Sequence, residues 1–182
     1  NEWEGENWNH TFNKIYDVHL ENNVVTVRGS LAGVSRLPGI RYTIASSDFR
    51  DGTVTVSLHA AVRDQVFWLP RLGFEWTLPA ESSDFSYYGM GPGENYSDMC
   101  HCAWTGRHTS DAAREYVPYV RPQEHGNHMA IRRLDIGDLV FAGSDEFACS
   151  ISHYTAQDLF AAEHTDELAW DSGKVESELQ NS

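Results

Sequence analysis

Cysteine, positive charge and long apolar runs are what this chain is short of. Its three cysteines, two of them one residue apart as Cys100-His101-Cys102, do not form the even framework of a small secreted domain. A reducing compartment follows, and the cytoplasm is the expected location. No apolar stretch approaches the ~20 residues that cross a bilayer, and the first residues are acidic and aromatic where a leader would be basic, then apolar. No membrane partner is expected. Lys+Arg total 13 against 27 Asp+Glu, a net charge of −14, and the bases are nearly all arginine. That balance excludes duplex nucleic acid as a partner. A Gly-x-Ser-x-Gly elbow is also missing, so a serine-hydrolase reading has no anchor. The acid that is present gathers at the ends, in Glu2, Glu4 and Glu6 and in residues 157–182, where seven acids face the single Lys174. Both ends read as solvated edges, and residues 171–182 as a partly frayed tail.

A chain of 182 residues can bury one substantial core, so 1–182 is expected to be a single domain. Hydrophobic residues recur with period two through its first half. Ile15–Leu20 and Val24–Arg28 flank Glu21-Asn22-Asn23, and Arg41–Ala45 and Thr53–Ala60 flank a turn ending in Asp51-Gly52. Each is a hairpin signal, and Asp51-Gly52 supplies the positive φ that a tight turn needs. Arg71–Leu78, Phe85–Tyr88, Met129–Leu134, Leu139–Ala142 and Phe147–Ser152 continue the pattern. One short helix is expected near residues 155–162, where Thr155 and Asp158 have capping-box spacing ahead of Leu159-Phe160-Ala161-Ala162. Many short strands and one helix predict an all-β, antiparallel sandwich or barrel, not a βαβ fold.

Chemistry-bearing residues gather in the glycine- and proline-rich runs. Tyr88-Gly-Met-Gly-Pro-Gly-Glu-Asn-Tyr-Ser-Asp98 sets a carboxylate, an amide and a phenol side by side in Glu94, Asn95 and Tyr96. Its glycines and proline predict an irregular path from Tyr88 onward. It is no phosphate loop, since Pro92 lacks an N–H and no helix follows. Tyr116-Val-Pro-Tyr-Val-Arg-Pro-Gln-Glu-His-Gly-Asn-His128 supplies Arg121, Glu124 and His125. Glu94 and Glu124 could form the carboxylate pair of a glycosidase, or each could satisfy backbone N–H groups in its own loop. Histidine is the residue type suited to acid–base work near neutral pH, which makes His125, His128 and His153 candidates, but nine histidines dilute each one. Cys100, His101, Cys102 and His108 lack zinc spacing, so the two thiols are expected to be buried, with no metal. Trp76, in an alternating strand, is expected in the core. Trp3 and Trp8, in a polar segment, suit a contact role.

Five blocks stand in a recognisable order: Leu69–Gly73, Gly89–Asp98, Tyr116–Asn127, Ser152–Leu159 and His164–Leu168. Together they closely resemble the C-terminal domain, in some members called the small chain, of family 2 β-galactosidases. The resemblance covers roughly Leu69 to Leu168; the earlier hairpins fit by pattern alone. It implies an antiparallel supersandwich of galactose-mutarotase type, packed beside a catalytic (β/α) barrel that holds both catalytic glutamates. No segment here looks like that barrel, so the resemblance assigns no catalytic residue to this chain. The sequence departs from the pattern in three places: it starts after the domain's usual first strands, carries His125 where asparagine is common, and stops before a closing glycine-rich segment.

What the resemblance implies is a non-catalytic domain of a β-galactosidase that cleaves terminal β-D-galactose, as in lactose, with the domain supporting barrel and assembly. Its partners would be the remaining domains or large chain, another copy in a homo-oligomer, and the parent's galactoside substrate. No cofactor is expected in this chain, the parent's magnesium and sodium lying outside the segment. Glu94, Asn95, Tyr96, Arg121, Glu124 and His125 become candidates for carbohydrate or interdomain contacts. Two alternatives stay open: a carbohydrate-binding module using exposed aromatics and the Glu94–Tyr96 loop, and an aldose 1-epimerase-like enzyme in which a histidine and a carboxylate exchange protons.

Overall fold

The computed structural model describes residues 7–47, 51–64, 69, 71–79, 83–168 and 174–181, the last segment as backbone only. Trp3, Trp68 and Trp170 lie outside the described residues. The chain divides into two compact units, Asn1–Pro70 and Arg71–Ser182, and each is taken by itself below. As expected, the architecture is overwhelmingly antiparallel β. No helix among the described residues is long and apolar enough to cross a membrane.

The first unit is a four-stranded meander, β1 (Thr11–Glu21), β2 (Val24–Gly33), β3 (Ile40–Ser47) and β4 (Val56–Val62), paired in chain order. Both hairpin signals hold for a local reason. Asn22 and Asn23 take φ of 50° and 63°, and Asp51 and Gly52 take 52° and 75°, which are the left-handed conformations a tight hairpin demands. A bulge between Ile15 and Asp17 shifts the register of β1. Beyond it, Val18 pairs with Val27, Val27 with Ile44 and Ile44 with Leu58, so one face of this sheet is a row of aliphatic residues.

The second unit is a sandwich of two four-stranded sheets. One has the order β10-β9-β6-β7, built from β6 (Asp84–Gly91), β7 (Trp104–Asp111), β9 (Arg133–Ile136) and β10 (Leu139–Phe141). The other has the order β5-β12-β11-β8, from β5 (Gly73–Pro79), β8 (Asn127–Ile131), β11 (Phe147–Ser152) and β12 (Lys174–Asn181). Phe85, Tyr87, Leu134 and Ile136 from the first sheet meet Leu78, Ile131, Phe147, Cys149 and Ile151 from the second in one buried cluster. The chain crosses between sheets at Arg132, whose N–H still bonds the carbonyl of Tyr88. After β11 comes the expected helix, α1 (Ala156–Ala161). Thr155 Oγ1 accepts from the N–H of Asp158, and Asp158 Oδ2 accepts from the N–H of Thr155.

Four expectations change. The tail expected to fray contains β12, which pairs with β5 and β11 on its two sides; Val175, Ser177 and Leu179 alternate with Glu176, Glu178 and Gln180, a strand period that the surrounding charge hid. Tyr88–Gly91 is not an irregular loop but the end of β6. Gly89 and Gly91 face inward there: a Cβ on Gly89 would strike the side chain of Ile131, and one on Gly91 the Tyr87 hydroxyl and the His108 ring. Those glycines serve close packing, not turning. Cys102 and His101 are exposed and Cys100 half-buried, in a turn outside the core, so the thiol buried in this sandwich is Cys149. Trp76 is a third exposed, at 36%, with ring contacts to Phe74 and Phe141.

Candidate functional site

The inner face of β6 leads into the loop at Pro92–Tyr96, and the long loop from Glu115 to Gly126 folds over it before β8 begins. Glu94 is the hub. Its Oε1 accepts from the Tyr119 hydroxyl at 2.5 Å, and its Oε2 from the N–H of Gly126 at 2.9 Å and the Tyr96 hydroxyl at 3.5 Å. Gly126 can offer its N–H because φ of 71° turns the backbone sharply at that position. Beside Glu94, Asn95 is wholly buried and fully used. Its amide donates to the carbonyls of Met90 and Gly93, its Oδ1 accepts from the N–H of Met129, and its backbone exchanges two bonds with Asn127. Burying such an amide is tolerable only when every polar atom finds a partner.

Charge at this hub is handled by protonated phenols. Burial pushes the Tyr96 phenol up, and the charges of Glu94 and Glu124 push it further. The hydrogen bond to Glu94 raises Tyr119. Both therefore act as donors near neutral pH, not as bases. Glu124 is partly exposed and ion-paired with Arg71, while Arg121 is exposed on the same loop. His125 is buried: its Nδ1 lies 2.8 Å from the carbonyl of Gln123, and its ring meets Tyr116 edge-on at 5.1 Å, with Tyr154 beyond. Glu94, Asn95 and Tyr96 thus form one cluster, in which Glu94 takes partners from the 115–126 loop and Asn95 from the start of β8. Glu124 and His125 sit on that loop with partners of their own.

The most deeply buried polar system was not legible in the sequence. Nε2 of His128 stands 2.8 Å from Oε2 of Glu115, and Nδ1 stands 3.0 Å from the Tyr87 hydroxyl, which also reaches the Pro92 carbonyl at 3.3 Å. Tyr87 and His128 are essentially inaccessible, and Glu115 is 6% exposed. Burial, then the Glu115 charge, pushes the Tyr87 phenol up, and burial drives the Cys149 thiol up to about 12. Glu115 stands in an undistinguished Asp-Ala-Ala-Arg-Glu run, so only strand alternation at His128 hinted at an inward position. Chemically the two systems look alike: each sets a carboxylate against internal partners that tie a loop to the core, three donors on Glu94 and the His128 ring on Glu115.

The family model described as beta galactosidase small chain matches residues 1–180. Among curated relatives, a beta-galactosidase of Actinobacillus pleuropneumoniae is 26% identical over 170 residues, covering 91% of this chain and 17% of the relative. One from Vibrio cholerae serotype O1 is 34% identical over 120 residues, 66% of this chain and 12% of the relative. The beta-galactosidase BgaC of Bifidobacterium adolescentis is 38% identical over 108 residues, 55% of this chain and 10% of the relative. The chain therefore spans only 10% to 17% of the length of these relatives.

Proposed function

The chain belongs to the beta-galactosidase small chain family, and from that premise we propose that it is a non-catalytic supersandwich domain of a family 2 glycoside hydrolase. In this reading both compact units are parts of one domain. Its work is to support the barrel active site and the assembly of an enzyme that removes terminal β-D-galactose, as from lactose. The remaining domains or large chain are its partners, with further copies in a homo-oligomer, and the enzyme works in the cytoplasm. The chain itself holds no cofactor; magnesium and sodium belong to the parent elsewhere.

One observation carries the non-catalytic assignment. Glu94, the best placed carboxylate of the two long loops, already accepts from Tyr119, Tyr96 and the Gly126 N–H. A glycosidase needs one carboxyl group to give a proton to the leaving oxygen and another to attack or activate water, both facing the sugar. A carboxylate whose two oxygens are taken by internal donors does not face a sugar. In this reading both catalytic glutamates lie in a barrel outside this chain, and the matched part is only 17% of the first relative, which leaves length for one. Hydrolysis of a chromogenic β-galactoside by the purified 182-residue chain tests this. A rate equal to buffer is expected, and turnover that scales with protein concentration would refute it.

A further inference from the structure

The outer face of the β9-β6-β7 sheet carries an arrangement that the supporting role does not use. Side chains alternate along β6, so Phe85, Tyr87, Gly89 and Gly91 point into the core while Asp84, Ser86, Tyr88 and Met90 point out. Register then fixes their neighbours. Asp84 stands opposite Asp111, Ser86 lies between Thr109 and Asp135, and Tyr88 lies between Arg107 and Arg133. A shallow open groove of about 530 Å³ runs along this face, lined by Asp84, Ser86, Thr109, Asp111, Arg114 and Asp135 among others. Tyr88, 45% exposed, stands one side-chain repeat beyond it on the same strand face.

We propose that this groove is a binding site for a neutral saccharide, with Tyr88 as its stacking platform. Charge selects the ligand class. The chain as a whole carries −14, yet around the groove three carboxylates, Asp84, Asp111 and Asp135, are balanced by three guanidinium groups, Arg107, Arg114 and Arg133. Two of the pairs are formed within the face. Arg133 Nε and Nη2 donate to both oxygens of Asp135 at 2.5 to 3.1 Å, and Arg114 Nε lies 2.9 Å from Asp111 Oδ2. A site balanced in this way offers little to an ion, whether anion or cation. It suits a ligand with many hydroxyls, because a hydroxyl can donate to Asp84, which takes part in neither pair, while others accept from Arg107, Ser86 or Thr109.

The aromatic ring supplies the rest. An exposed tyrosine flanked by polar side chains presents a flat apolar face with hydrogen-bonding groups at its edge, which matches a pyranose ring with C–H bonds on its face and hydroxyls at its rim. The groove is a separate place from the Glu94–Tyr96 loop, whose side chains bond one another and the 115–129 segment. It goes beyond the supporting role, since it is a non-catalytic contact with carbohydrate on this chain's own surface.

Backbone amide NMR of the isotopically labelled 182-residue chain, titrated with lactose to about 20 mM, tests the site at the millimolar affinities such open grooves support. Saturable shifts are expected at residues 84–90, 105–111 and 133–135. Tyr88→Ala should weaken them at least about fivefold while leaving the spectrum of the free chain otherwise dispersed, and Asp84→Asn should weaken them as well. No saturable shift, shifts centred on other residues, or unchanged affinity in Tyr88→Ala would each overturn the proposal. The non-catalytic reading stands or falls separately, on hydrolysis by the same chain.

Discussion

Nε2 of His128 lies 2.8 Å from Oε2 of Glu115, and neither side chain is more than 6% exposed. The two come from different parts of the chain, the loop after β7 and the start of β8. Their contact, extended through the Tyr87 hydroxyl to the Pro92 carbonyl, ties the sandwich core to the loop that carries Glu94. A buried polar chain of this kind holds geometry more than it adds net stability, because desolvation offsets much of the attraction.

Truncating one end of that chain leaves the other unpaired in the core. Glu115→Ala is therefore expected to cost about 3 kcal/mol or more in urea unfolding of the chain. A loss below about 1 kcal/mol would mean that water or another donor replaces the carboxylate.

Gly91 tests the close packing at the end of β6. Its added Cβ would meet the Tyr87 hydroxyl and the His108 ring, both held by their own hydrogen bonds. Gly91→Ala should destabilise by about 1–3 kcal/mol, whereas Gly93→Ala, with open space around the new Cβ, should cost under about 1 kcal/mol. Parallel denaturant midpoints give the comparison, and equal losses would contradict the packing role.

Cys149 makes a prediction in pH. Burial raises its thiol from 9.0 to about 12 in the folded chain, so folding favours the protonated form. The stabilisation is complete below about pH 9, where the unfolded thiol is also protonated, and is lost progressively as pH climbs toward 12. Tyr87 and Tyr96, also raised by burial, act in the same direction at higher pH. Unfolding free energy should therefore fall above pH 9, and Cys149→Ala should remove part of that slope. At pH 8 a thiol reagent should modify exposed Cys102 quickly and Cys149 only on unfolding.

Legibility followed the range of the interaction. Both early hairpins were readable because Asn22-Asn23 and Asp51-Gly52 announce their own turns and the flanking valines and isoleucines alternate. The α1 cap was readable because Thr155 and Asp158 satisfy each other within one turn. β7 was missed: Trp104-Thr-Gly-Arg-His-Thr-Ser-Asp111 has almost no aliphatic residue, and the strand exists because β6 offers it a partner. β12 was hidden by its charge. Within the candidate site, Glu94, Asn95 and Tyr96 stood out by composition, but their partners Tyr119, Gly126, Asn127 and Met129 come from 25 to 34 residues away or further along the fold. Glu115 gave no local signal, since what makes it special is the imidazole across the core.

Glu94 carries the central claim, that this loop carboxylate holds structure and does no chemistry. Urea unfolding of Glu94→Gln is the most direct measurement, because the two roles give opposite signs. A structural hub that loses its charge-assisted bonds to Tyr119, Tyr96 and Gly126 should lose about 1–3 kcal/mol of stability. Catalytic groups are held at a cost to stability, so replacing one usually leaves the fold equally or more stable. A Glu94→Gln chain that unfolds at lower urea supports the account, and one that unfolds at the same or higher urea contradicts it.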